Sequence, residues 1–143
     1  MSVPTFHPNK IVKFATNYDE DGDDLTGWRC YLLWKNDTEQ KKLILFSITS
    51  NHNHQNRIFV SQFKVSDPRP PCLQSKFYPK SFANTNRLVI IPYETISYLK
   101  FCQRCPSFCL SKEDFWGINQ LHSNLLKYRI KVRRIELDIK YFS

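Results

Sequence analysis

Residues 28–50 read WRCYLLWKNDTEQKKLILFSITS, and the two apolar runs inside them decide the fold. The first run is Cys30-Tyr31-Leu32-Leu33-Trp34, and the second is Leu43-Ile44-Leu45-Phe46. Between them, Lys35 to Lys42 contains no apolar residue. Each run is short, aromatic or aliphatic, and bounded by turn-forming residues, so each predicts a strand buried on both faces. The polar spacer predicts that the two pair as a hairpin. The outer ends of a hairpin lie side by side. Arg29, at the start of the first strand, is therefore expected beside Thr49 and Ser50 at the end of the second. A guanidinium and two hydroxyls gathered at one end of a rigid sheet have the donors that an anion needs.

Working outward, 143 residues suffice for one domain with a real core, and a single domain over 1–143 is expected. The chain is 41% apolar and 15% aromatic, a globular composition and not that of a disordered chain. Only three glycines are present, which excludes a Gly-rich phosphate loop. The net charge is +8, but the charges are unevenly placed. Five of the thirteen acids fall in Asp19-Glu20-Asp21-Gly22-Asp23-Asp24, and from Trp28 onward 19 Lys and Arg stand against 8 Asp and Glu. A basic body favours a phosphate-rich partner such as RNA or DNA without establishing one. The N-terminal residues have no basic segment followed by an apolar core, so no secretory signal is expected. No apolar stretch approaches the roughly 18 residues of a membrane span. Five cysteines, an odd number, with no signal peptide predict reduced thiols and a cytoplasmic protein.

In chain order, residues 1–9 read as a loose arm and Ile11 to Phe14 as a first strand. The acidic run is too charged to bury and predicts an exposed loop; its functional alternative is a mobile flap near Arg29. Asn51 to Arg57 is a polar loop before a third strand, Ile58 to Val65. Pro68, Pro70, Pro71 and Pro79 make the next stretch an irregular excursion within the domain. Arg87 to Ile91 is the clearest strand of the second half, ended by Pro92. Beyond Pro92 the chain reads as helix-rich. Ser111-Lys112-Glu113-Asp114 forms a capping-box pattern, and Phe115, Ile118, Leu121, Leu125 and Leu126 come after it at helical spacing. These predict an amphipathic helix over about 111–128. From Tyr128 to Ile139 apolar and charged residues alternate, which predicts a strand with one solvated face or one added to a partner. On it, Lys131 and Arg133 point the same way and, with Arg134, are candidates for RNA phosphates. A solvated strand face is the competing reading.

Two groups invite a metal reading. His52-x-His54 is one, and Cys102, Cys105 and Cys109 are the other. A structural zinc needs four convergent ligands, and neither group supplies them locally. A polar loop and buried thiols are the ordinary readings, so no metal and no cofactor are expected. Zinc at the cysteines stays open as an alternative.

Three segments together resemble the MazF/PemK (Kid-like) toxin endoribonucleases. Gly27-Trp28-Arg29-Cys30-Tyr31-Leu32-Leu33 resembles the family segment in which Gly and Arg precede an apolar strand. Leu43 to Ser50 resembles its second apolar strand, ending in Ile-Thr-Ser. Leu110-Ser111-Lys112-Glu113-Asp114-Phe115 resembles the start of its C-terminal helix. The resemblance covers roughly 10–128 and leaves 129–143 as a basic extension. Cys30 stands where the family usually has Pro. The resemblance implies an α+β fold, a small SH3-like β-barrel with a C-terminal amphipathic helix and a trailing basic segment. It also implies metal-independent cleavage of single-stranded RNA, by 2′-hydroxyl attack that gives a 2′,3′-cyclic phosphate. Arg29 and Thr49 match the family's active pair, with Ser50 beside them. His52 and His54 are possible acid or base groups on their chemistry alone. A homodimer and an antitoxin partner are further implications. The competing class is a non-catalytic module that binds nucleic acid or protein.

Overall fold

The computed structural model describes residues 7–20, 22–49, 62–64, 82–101, 108–110 and 112–142. In chain order the strands are β1 (Lys10–Thr16), β2 (Asp19–Glu20), β3 (Asp23–Asp24), β4 (Gly27–Asp37), β5 (Lys42–Thr49), β6 (Gln62–Lys64), β7 (Phe82–Asn84), β8 (Arg87–Pro92), β9 (Phe108–Cys109) and β10 (Arg133–Glu136). Helices are Tyr93–Ile96 and Lys112–Lys127, with a closing 3-10 turn at Ile139–Phe142. The protein is therefore mixed α+β, mostly sheet with one main helix.

The expected hairpin is present and is longer than its apolar runs. β4 and β5 pair antiparallel from Cys30↔Ile48 to Asp37↔Lys42. The register steps between Leu33 and Lys35, so Trp34 is the extra residue of a bulge. The ladder continues beyond it through Lys35, Asn36 and Asp37, which shortens the eight-residue polar turn expected from the spacing to Thr38–Lys41. Gly27 enters β4 at φ 80°, a left-handed conformation that glycine adopts without strain.

The main sheet runs β10-β8-β5-β4-β1-β9, with β7 pairing β5 and β6 pairing β7. β10 is parallel to β8; the other neighbours are antiparallel. Among the described residues the path has two ends, β10 and β9, and no closed barrel is found.

Both faces of the central strands are buried, as the unbroken apolar runs require. On one face Cys30, Leu32, Ile44, Phe46, Ile48, Leu88 and Ile90 pack with Ile118 of the long helix. On the other, Tyr31, Leu33, Leu43, Leu45, Val89 and Ile91 pack with Val12, Phe14, Tyr18, Leu25, Leu137 and Tyr141. Phe14 stacks on Tyr31, with ring centroids 4.3 Å apart.

Three expectations change. The segment after residue 128 does not trail the core. Arg133–Glu136 is an edge strand of the main sheet, and Leu137 beyond it is fully buried. The acidic run is not simply an exposed loop. Asp19–Glu20 and Asp23–Asp24 pair as a small hairpin, and Asp23 is buried because two arginines hold its carboxylate. The long helix buries His122 instead of Leu126, because Ile118, His122 and Leu125 share one helical stripe while Leu126 lies about 100° round from Leu125. Ser111, the expected cap, lies outside the described residues. Among those residues, no helix is long and apolar enough to cross a membrane.

Candidate functional site

The hairpin register brings the two sequence-predicted residues together. Cys30 faces Ile48 across the ladder, so Arg29 and Thr49 are the next position on the two strands. Side chains alternate along a strand. Arg29 and Thr49 therefore share the face that carries Tyr31 and Ser47, which are themselves cross-strand partners. On their outer sides Arg29 pairs with Phe14 of β1, and Thr49 with Phe82 of β7. Both side chains are half-buried.

Arg29 is anchored locally. Its Nε donates to the Thr26 carbonyl at 3.2 Å. Thr26 in turn donates to Asp24 through both its amide, at 2.9 Å, and its hydroxyl, at 2.6 Å. Those two bonds, with a smaller contribution from the Arg29 charge, hold the Asp24 carboxyl below its ordinary range. Among the described residues no carboxylate lies within salt-bridge distance of Arg29.

One rung deeper on the same face lies a polar cluster that the sequence alone did not single out. Arg87 opens β8 and donates to Asp23 Oδ1 at 2.7 Å and to Ser47 Oγ at 3.2 Å. Asn84 donates to the same Ser47 oxygen at 3.0 Å. Arg133, the register partner of Arg87, donates to Asp23 Oδ2. Tyr31 stands opposite Ser47 with its hydroxyl buried and, among the described residues, without a hydrogen-bond partner; Arg87 Nε is in the same condition. Burial pushes the Tyr31 phenol well above its ordinary range, and the Arg29 and Arg87 charges only partly oppose this. Two guanidiniums and an amide here share one carboxylate and one serine oxygen, and the Tyr31 hydroxyl and Arg87 Nε are left over on the same sheet face. A signal was available in the sequence: Ser47 is the one polar residue inside the run Leu43–Ile48. Arg87 and Arg133 emerge only from the pairing of β8 with β10.

The basic trio is divided. Arg133 is committed to Asp23, whereas Arg134 alternates to the opposite face. There it lines a cleft of about 590 Å³ with Lys41, Lys42, Tyr93, Glu94 and Glu136. Lys131 is exposed and precedes the strand. Lys131 and Arg133 are therefore not two members of one strand face. Ser50, His52, His54, Cys102 and Cys105 lie outside the described residues, as does the Cys109 side chain. Cys30 is a buried thiol in the core.

No protein-family model matches the sequence, and no curated protein matches it. The likeness over 10–128 stands on its three motifs.

Proposed function

We propose that the protein is an endoribonuclease of the MazF/PemK type that cleaves single-stranded RNA without a metal. The reading takes the described sheet as part of an SH3-like barrel and places the chemistry at the open end of the β4–β5 hairpin. The observation that carries it is the ladder register, which puts Arg29 and Thr49 on one face at one end of two rigid strands. A transition-state anion needs donors held in that fixed way.

In the reaction the ribose 2′-oxygen bonds to phosphorus as the bond to the 5′-oxygen breaks. The 2′-proton leaves to a base, and the departing 5′-oxygen takes up a proton. The products are a 2′,3′-cyclic phosphate and a 5′-hydroxyl. Arg29 neutralises charge on the phosphorane, and Thr49 donates to a non-bridging oxygen, with Ser50 beside it. His52 and His54, three and five residues beyond Thr49, are the candidates for proton transfer. The same reading makes the protein a cytoplasmic toxin-like homodimer restrained by an antitoxin protein.

The test incubates the purified protein with mixed-sequence single-stranded RNA in EDTA, beside Arg29→Ala, Thr49→Ala and the double variant. Each single change is expected to slow cleavage about a hundredfold or more, the usual effect of removing one transition-state donor. Cyclic-phosphate ends from the parent and not from the double variant support the reading. RNA that is bound and stays intact would replace it with a non-catalytic binding module. Equal cleavage by parent and double variant would remove Arg29 and Thr49 from the site.

A further inference from the structure

The polar cluster one rung below Arg29 and Thr49 has more donors than acceptors. Asp23 accepts from Arg87 and Arg133, and Ser47 accepts from Arg87 and Asn84. Among the described residues two buried donors of this cluster's face remain without acceptors, the Tyr31 hydroxyl and Arg87 Nε. A buried donor left unpaired is costly, and native interiors carry few of them. Their grouping around a pair of arginines is the pattern of a site shaped for an oxyanion with more acceptor oxygens than a carboxylate has.

We propose that Tyr31, Ser47, Arg87 and Arg133 form a second phosphate site, and that Asp23 occupies it until a phosphate replaces it. A phosphate diester carries the same single charge as the Asp23 carboxylate. Its two non-bridging oxygens can meet the two guanidiniums as Oδ1 and Oδ2 do now. Its ester oxygens supply further acceptors of the kind that Tyr31 Oη and Arg87 Nε lack. Asp23 is well suited to leave. It sits in a hairpin of two-residue strands, beside Gly22 at φ 81°.

The rung Tyr31–Ser47 is two residues from the rung Arg29–Thr49 on the same face, a rise of about 6.8 Å along antiparallel strands. That spacing suits successive phosphates of an extended single strand. The second site therefore takes the phosphate next to the reacting one and fixes the register of the RNA. This last step rests on the ribonuclease reading; the oxyanion site itself does not.

The test uses the full chain carrying Arg29→Ala and Thr49→Ala, so that RNA is bound without being cut. Tyr31→Phe removes only the unpaired hydroxyl. It is expected to leave the melting temperature of the free protein unchanged or raised, and to weaken binding of a short single-stranded oligoribonucleotide about tenfold. Asp23→Asn is expected to lower the melting temperature and tighten that binding severalfold. Inorganic phosphate is the second probe, read as a rise in melting temperature that Tyr31→Phe diminishes. Stabilisation by phosphate together with unchanged RNA binding in Tyr31→Phe would keep the oxyanion site and remove it from the RNA path. If Tyr31→Phe lowers the melting temperature and leaves both probes bound as before, the hydroxyl is structural and the proposal fails. It fails equally if neither probe stabilises the protein. Should Asp23→Asn not fold, Tyr31→Phe decides the matter alone. Cleavage is assayed separately on the chain with Arg29 and Thr49 intact, so loss of the nuclease reading is distinguishable from loss of the second site.

Discussion

Two adjacent arginines on one short strand have opposite fates, and alternation is the cause. Arg133 shares a face with Arg87 and is bonded to Asp23, whose side chain is only 4% exposed. Arg134 turns to the other face and stands exposed in the cleft beside Lys41 and Lys42. Their replacement should therefore differ. Arg133→Ala leaves a buried carboxylate with Arg87 as its remaining ion-pair partner. The Arg133 side chain is itself 41% exposed, so solvent screens part of the interaction. A loss of about 1–2 kcal/mol is expected. Arg134→Ala should lie within about 0.5 kcal/mol of the parent, as surface substitutions usually do. Urea denaturation of the two variants checks the contrast, and equal stabilities would mean that the Asp23 pair contributes nothing. Tyr31 has its own signature. Its phenol stays protonated in the folded chain above the ordinary tyrosine range, while the unfolded chain ionises near pH 10. Tyr31 therefore leaves stability independent of pH below about pH 10 and lowers it as the pH rises beyond that.

At the scale of elements, the long helix holds the sheet through a residue that periodicity alone did not single out. His122 packs against Trp34 and Phe46, with centroids 4.6 and 5.3 Å away, and its Nδ1 lies 3.0 Å from the Thr85 carbonyl. Burial lowers its pKa, the Thr85 bond opposes this, and the Lys35 charge adds a small further lowering. A group whose folded pKa is depressed favours the fold while it is neutral. For His122 that contribution is present above the unfolded value of about 6.5 and is lost as the pH falls through and below it. Melting temperatures of parent and His122→Gln between pH 8 and 5 test this, and the variant should show the flatter acid limb; parallel limbs would remove His122 from the acid response. The elements differ in how openly the sequence displays them, for physical reasons. Strands β4, β5 and β8 are legible because two buried faces demand unbroken apolar runs. The helix is legible from its 3.6-residue spacing. The bulge at Trp34 is not, because nothing in a local apolar pattern states where a ladder skips. The burial of Asp23 is hidden for a related reason: a carboxylate enters a protein interior only with partners, and Arg87 and Arg133 are 64 and 110 residues away in sequence. Arg29 and Thr49 could be brought together from the hairpin alone, since a hairpin joins its own ends. The rung beneath them depends on β8 and β10, and their order in the sheet cannot be deduced from local signals.

For the molecule as a whole, the C-terminal segment decides whether the sheet can exist. The long helix covers one face. The other is closed by Tyr18 and Leu25, which flank the acidic hairpin, by Leu99 and Phe101, and by Ile135, Leu137, Tyr141 and Phe142. Without residues 129–143 the last four are gone, and with them the edge strand beside β8 and the Tyr141–Glu20 bond that ties down the acidic hairpin. The Asn17 amide would also lose the Tyr141 carbonyl it donates to at 2.8 Å. Leu137 is fully buried and Ile135 2% exposed, and truncating one such side chain to Ala typically costs about 2–5 kcal/mol. Removing both, with two aromatic residues, therefore costs about as much as the roughly 5–15 kcal/mol by which a domain is usually stable. A chain ending at Tyr128 is expected to lack a cooperative thermal transition and to elute as aggregate, because it exposes the apolar face of β8 and an unprotected strand edge. Leu137→Ala alone should fold and melt at a lower temperature. Calorimetry and size-exclusion chromatography of both proteins decide between two architectures. A truncated chain that melts cooperatively as the parent does would make 10–128 a self-sufficient core with a tail. Loss of the transition makes β10 a structural member of the sheet, and the arginine it supplies to Asp23 part of the same folding unit as Arg29 and Thr49.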